Sequence, residues 1–237
     1  MKIKNLFLLV AAIYATHTLA QDCTFYFPMD KGQQVVRNCY DAQGTLTNVF
    51  TITVENSYDY PSGYEVIADY TYSDASNQTL TSGQMVACCD DENFYLDMKN
   101  RIPFTNALNM MDADVLLVSN LMPYPNAFTG TDPFDPDNNV GFTEGDISIY
   151  QKHNKDNRAR ISIRNRQYEK DEEITTPAGT FHCTKVKFDI DLWTPQGKTE
   201  GYGYEWYSPK VGVVHSEQYD KNKVLQSYSV LEMQTKN

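Results

Sequence analysis

A mainly β chain, folded as a strongly curved antiparallel sheet or open barrel wrapped around one helix, is what this sequence predicts. Three observations carry the prediction. Apolar and polar residues alternate one by one in at least five segments, the period of a strand with one buried face. Short turn signals separate those segments, as hairpins require. One region, 105–122, has the longer period of a helix instead.

In chain order, residues 1–20 come first and have the three parts of a secretory signal: Lys2 and Lys4, an apolar run from Leu6 to Tyr14, and Thr18-Leu19-Ala20 before the cleavage point. The run is too short to span a bilayer. A lipid anchor on Cys23 would need small residues before it, whereas Gln21 and Asp22 stand there. The expected product is therefore one β domain, 21–237, with no transmembrane segment after cleavage. Leu46, Asn48, Phe50, Ile52 and Val54 then share one face, with threonines and Glu55 on the other. Tyr64, Val66, Ala68, Tyr70 and Tyr72 repeat the pattern after the turn at 60–63. Leu108, Met111, Val115, Val118 and Met122 recur at three- and four-residue spacing, which predicts one helix or lid over 105–122, ending before Pro123 and Pro125. An acidic loop, 123–141, is rich in Pro, Asp and Asn. Past it, Val186, Phe188, Ile190 and Leu192 face opposite Lys185, Lys187, Asp189 and Asp191, a half-buried strand. Turns at 41–44, 73–77, 195–198 and 220–222 complete a meander.

Charge and cysteines narrow the function classes. Without residues 1–20 the chain holds 18 basic against 31 acidic side chains, a formal charge of −13, which excludes nucleic acid as a natural partner. Five cysteines lie in the exported part, where disulfides persist. Cys23 with Cys39, and one of Cys88 and Cys89 with Cys183, are the expected pairings, with one thiol left over. No pair of CxxC motifs points to zinc, and no cofactor is implied.

The segments "TPAGTFHCTKV" (176–186), "YGYEWYSPKVGVVHSEQYD" (202–220) and "VLQSYSVLEM" (224–233), with "YPSGYEV" at 60–66, together resemble the exported TapB-like proteins of Gram-negative bacteria. The resemblance implies a barrel-like sheet wrapped around a helix, similar to periplasmic lipoprotein carriers, in the periplasm or secreted. It implies no reaction.

Candidate sites are few. A Cys-His hydrolase needs its thiolate and imidazole within hydrogen-bond reach, but His182 and Cys183 are consecutive, and successive strand residues point to opposite faces. Parity places His182 on the face of Val186, at the rim of the core. His153 and His215, the other histidines of the exported part, have no metal-binding spacing. Asp135, Asp137 and Asn139 with Asp146 fit positions one, three, five and twelve of a calcium loop, although Val140 occupies the turn position that wants glycine. Arg158, Arg160, Arg164 and Arg166 form a row on one strand face, set either to pair with Asp189 and Asp191 across the sheet or to bind lipid head groups or acidic glycans. Tyr202, Tyr204 and Trp206 form an aromatic row fit for packing or for sugar stacking. Met111, Val115 and Met122 would line the lid of an apolar pocket. The leading expectation is an exported, non-enzymatic binding or carrier module for a lipid or other apolar envelope component. The alternative is an envelope structural or interaction protein with a protein or glycan partner, and a hydrolase ranks last, since no G-x-S-x-G, H-E-x-x-H or P-loop occurs.

Overall fold

The computed structural model describes residues 24–61, 63–90, 93–104, 115–125, 145–151 and 158–235. The strands are β1 (Gln34–Asp41), β2 (Leu46–Tyr60), β3 (Gly63–Asp74), β4 (Thr79–Cys89), β5 (Asn93–Asp97), β6 (Val115–Ser119), β7 (Leu121–Pro125), β8 (Gly145–Gln151), β9 (Arg158–Thr176), β10 (Gly179–Thr194), β11 (Gly197–Ser208), β12 (Gly212–Asp220) and β13 (Leu225–Gln234). They form one 13-stranded sheet in the order β6-β8-β9-β10-β11-β12-β13-β1-β2-β3-β4-β5-β7. Every described pairing is antiparallel.

The two edge strands of that order, β6 and β7, are consecutive in the chain with Asn120 alone between them. Asn120 N donates to Asp146 O at 3.2 Å, while Asn120 O accepts from Met98 N at 3.1 Å. One run of chain thus hands its pairing from β8 to β5, and the sheet comes round almost onto itself. The result is a nearly closed antiparallel barrel, which removes most of the edge that an open sheet would expose.

Alternation sets the inward face as expected. On β2, Asn48, Phe50, Ile52 and Val54 are buried, as are Val66, Ala68, Tyr70 and Tyr72 on β3 and Val186, Phe188 and Ile190 on β10. Three of the hairpins share one device. Asp41 Oδ1 accepts from the amides of Gln43 and Thr45, Asp74 Oδ1 from Ser76 and Gln78, and Asp220 Oδ1 from Asn222 and Val224. Three residues after each aspartate the backbone turns left-handed: Gly44 at φ 83°, Asn77 at 65° and Lys223 at 65°. The carboxylate caps a turn whose twist suits a hairpin.

The expected helix is overturned. No α-helix occurs among the described residues, and 115–119 and 121–125 are strands. Residues 105–114 lie outside the described set. A short apolar run fits both periods, and β-branched Val115 and Val118 favour the extended form. Leu117 is buried between exposed Leu116 and Val118, which is strand alternation. Pro123 and Pro125 are tolerated because, among the described residues, β7 pairs on one side only, with β5. What enters the barrel is a 3-10 turn, Met98–Phe104, in contact with β2, β6, β8, β12 and β13.

Both disulfide pairings are also overturned. Cys39, Cys88 and Cys183 are free thiols, while Cys89 is disulfide-bonded. The vicinal pair is split by alternation, since Cys89 is buried and Cys88 half-buried on the opposite face of β4. An aromatic tuck, rather than a Cys39 bridge, seats the start of the described chain. Phe25, Tyr26 and Phe27 are buried, with ring contacts from Phe25 to Phe94 and from Tyr26 to Tyr207.

Candidate functional site

Three arginines are buried among the described residues, and all three meet in one interior cluster. Arg37 on β1 alternates inward with Val35 and Cys39 and is 1% exposed. Arg101 comes from the 3-10 turn and is 1% exposed. Arg166 arrives by a different route. Asn165 adopts φ 50°, and between Lys187 and Asp189 the register of β10 against β9 slips by one residue. Such a bulge reverses the inward and outward sense of the residues beyond it. Arg160 and Arg164 therefore face outward, while Arg166 is 5% exposed inside. The expected single row of arginines is broken at this point; Arg158 is in β9, its side chain outside the described set.

Glu205 on β11, at 0% exposure, is the carboxylate of the cluster. Its Oε2 lies 2.7 Å from Arg101 Nη2 and also accepts from the Tyr207 hydroxyl. Arg101 Nη2 donates to Tyr124 OH at 2.5 Å and to Tyr207 OH at 3.3 Å, and the two hydroxyls are 3.0 Å apart. Arg37 Nη2 donates to Asn100 O at 2.8 Å and to Asn100 Oδ1 at 2.7 Å. Arg166 Nη1 donates to Pro123 O at 2.5 Å. Rings complete the surroundings: Arg37 lies 4.9 Å over Phe50, Arg101 4.5 Å over Phe188, and Arg166 4.6 Å over Tyr124.

The electrostatics are one-sided. Burial pulls the Arg37 and Arg166 guanidiniums below their usual range. At Arg101 burial acts in the same sense, but Glu205 and the two tyrosines outweigh it and hold the charge. Burial pushes the Glu205 carboxyl up, a push that Arg101 and the Tyr207 hydrogen bond oppose. Guanidinium does not shed its proton in proteins, so three buried cations face one carboxyl. Within the cluster, Arg37 Nη1 and Glu205 Oε1 have no hydrogen-bond partner.

The remaining sequence candidates lie elsewhere. His182 is exposed and Cys183 is fully buried, so the dyad does not assemble, and His182 is not in the core rim as parity suggested. Burial pushes the Cys183 thiol up to about 12, which makes it a poor nucleophile. Met122 faces the interior at 1% exposure, against the face of Gly145. Met111, His153, Asp135, Asp137, Asn139 and Cys23, and the side chain of Val115, lie outside the described residues. Asp146 is held by Arg160, with contacts of 3.1 and 2.9 Å. Among the described residues no group of three or more His, Cys, Asp or Glu is placed to hold a metal.

Tyr202, Tyr204 and Trp206 lie on the outer wall within a cross-strand ladder. Tyr202 stacks on Tyr219 at 5.2 Å and 8°, Trp206 lies 4.8 Å from His215, and Lys185 Nζ sits 4.1 Å over Tyr204. Trp206 Nε1 donates to Glu172 Oε1 at 2.5 Å. The hydrogen bonds from Lys170 and from Trp206 hold the Glu172 carboxyl below its ordinary 4.5. A depressed carboxyl contributes its stabilisation above the unfolded value and loses it as pH falls through the folded one. The transition in tryptophan emission that depends on Glu172 is therefore expected to have its midpoint below 4.5. Glu172→Gln should remove that transition, and a midpoint above 4.5 would contradict the assignment.

Sequence reasoning found Arg166 but missed Arg37, Arg101 and Glu205. A signal was present for one of them: Arg37 interrupts an otherwise apolar inward set on β1.

A profile of the DUF3108-like family matches residues 30–231. A protein of Bacteroides fragilis described as exported and as having a YmcC-like fold shares 51% identity at a TM-score of 0.84, covering 90% of this chain and 100% of its own. A protein of Parabacteroides distasonis described as a lipoprotein shares 43% identity at a TM-score of 0.81, covering 90% and 99%. No curated protein matches. Among the described residues no helix is long and apolar enough to cross a membrane.

Proposed function

We propose a binding role for this chain, which belongs to the DUF3108-like family: an exported, non-enzymatic module of the cell envelope whose barrel interior receives the acidic end of an amphiphile. The observation that carries the reading is Arg37 Nη1, a charged donor on a side chain 1% exposed, with no hydrogen-bond partner. A buried donor left unpaired costs about 1–3 kcal/mol, and an oxyanion would satisfy it while offsetting the excess of guanidinium charge. Met85, Met98 and Met122 belong to the same core, all at 0–1% exposure, and are side chains that adapt their shape to an apolar tail. The envelope assignment is supported by the leader-like residues 1–20 and by relatives described as exported and as a lipoprotein. A role without chemistry fits the buried, high-pKa thiol of Cys183 and its separation from His182.

The test compares oleate with oleyl alcohol, which differ at the polar end. Oleate is expected to bind the mature protein about tenfold or more tightly than the alcohol, as a charge-assisted hydrogen bond implies. Arg37→Met should remove the difference. Equal affinities in the unsubstituted protein would end this reading.

A further inference from the structure

On the outer wall, away from the interior cluster, a cavity of about 310 Å³ opens where β9, β10 and β11 meet the β12–β13 turn. Tyr202 forms one wall, and Gly201, with no side chain, leaves backbone at the lining. Three cations and three carboxylates line it, and their commitments differ. Asp191, 3% exposed, is held by Arg164 at 2.5 Å and by Lys198 at 3.3 Å. Glu200 is held by Lys198 at 2.6 Å. Asp189 accepts from the neutral amide of Asn165 at 2.8 Å. Lys187 and Lys221 line the same cavity, and among the described residues neither forms an ion pair.

The site thus presents two ammonium groups outside any described ion pair, Lys187 at 5.7 Å over the Tyr202 ring and Lys221 close enough to act on Glu200. It adds one carboxylate with remaining acceptor capacity and an aromatic wall whose ring stacks on Tyr219. We propose that this cavity binds an acidic saccharide. Its carboxylate would sit between Lys187 and Lys221, a hydroxyl would donate to Asp189, and the apolar face of the sugar ring would lie along Tyr202. Each part of the ligand answers one part of the site. A neutral sugar leaves the lysines unanswered. A compact inorganic anion meets repulsion from Asp189 and makes no use of the ring. The chain's overall negative charge does not oppose this locally, since at physiological ionic strength fields are screened beyond about 8 Å.

The inference is independent of the interior reading, so its test uses different residues. In a titration of the ¹⁵N-labelled mature protein followed by NMR, glucuronic acid is expected to shift the amides of Lys187, Gly201 and Tyr202 saturably. Glucose should bind about tenfold more weakly, the worth of one charge-assisted contact. Lys187→Gln with Lys221→Gln should bring glucuronic acid down to the level of glucose, and Tyr202→Ala should weaken both sugars. Lys221 is exposed and Lys187 half-buried, and among the described residues neither is in an ion pair, so the double variant is expected to keep the fold; its amide spectrum away from the cavity verifies this. Glucose binding as tightly as glucuronic acid, inorganic phosphate doing so, or the absence of any saturable shift overturns the proposal.

Discussion

Glu205→Leu is expected to lower the free energy of unfolding by about 3–5 kcal/mol, the cost of leaving one charge of a buried pair uncompensated. The carboxylate is at 0% exposure and is the acceptor for Arg101 Nη2 at 2.7 Å and for the Tyr207 hydroxyl. Its removal leaves Arg37, Arg101 and Arg166 facing one another in the interior with no carboxylate among them. Urea unfolding followed by tryptophan emission and far-ultraviolet circular dichroism measures the loss. A second substitution separates charge from shape. Arg101→Met combined with Glu205→Leu removes both members of the pair and should recover much of the stability, because an apolar pair of similar volume is often neutral in such a place. Recovery will be incomplete, since Tyr124 and Tyr207 lose a donor. In the single variant, stability should also rise when oleate is added, as any ligand of the folded state provides. A single-variant loss under about 1 kcal/mol would show that the pair contributes little, and would remove the charge imbalance on which the interior reading stands.

The barrel wall was legible because its code is local. Alternation of period two names the inward residue on β2, β3 and β10, and clusters of Asp with Gly, Ser or Asn mark the turns at 41–44, 73–77 and 220–222. The closure of the sheet was not legible. It depends on 115–125 pairing with β8 through one half and β5 through the other, and a run of Leu, Val and Met gives the same apolar spacing to a helix and to a strand. The interior cluster was hidden for a related reason. Arg166 reads as part of an outward row until Asn165 takes φ 50° and shifts the parity by one, and no feature of the residue types around it announces a bulge. Arg101 sits in a 3-10 turn that no periodicity reveals, and Glu205 reads as one polar residue among aromatics in "YGYEWY". The site is assembled by three irregularities, a bulge, a turn and an inward charge, none of which leaves a mark on a regular repeat.

Gly203→Ala is expected to destabilise the barrel by about 1–3 kcal/mol, the usual cost of overfilling a packed core, and to weaken the interior cluster from a distance. Gly203 is buried on β11 between Tyr202 and Tyr204. A methyl group there would stand 2.5 Å from Phe188 Cζ, 2.8 Å from Phe188 Cε2 and 2.8 Å from the backbone oxygen of Glu217. The ring cannot retreat freely, because Arg101 is seated 4.5 Å over it, and Arg101 in turn holds Glu205 and Tyr124. The strain therefore has two outlets, a shifted Phe188 that unseats Arg101 or a displaced β12 backbone. Phe188→Leu in the Gly203→Ala background distinguishes them. If the ring carries the strain, the double variant should lose about 1 kcal/mol less than the two single losses combined. Strict additivity would instead place the clash on the Glu217 carbonyl. Oleate affinity reads the other end of the same chain of contacts: it should fall in Gly203→Ala if Arg101 moves, and stay constant if only the β11–β12 backbone does.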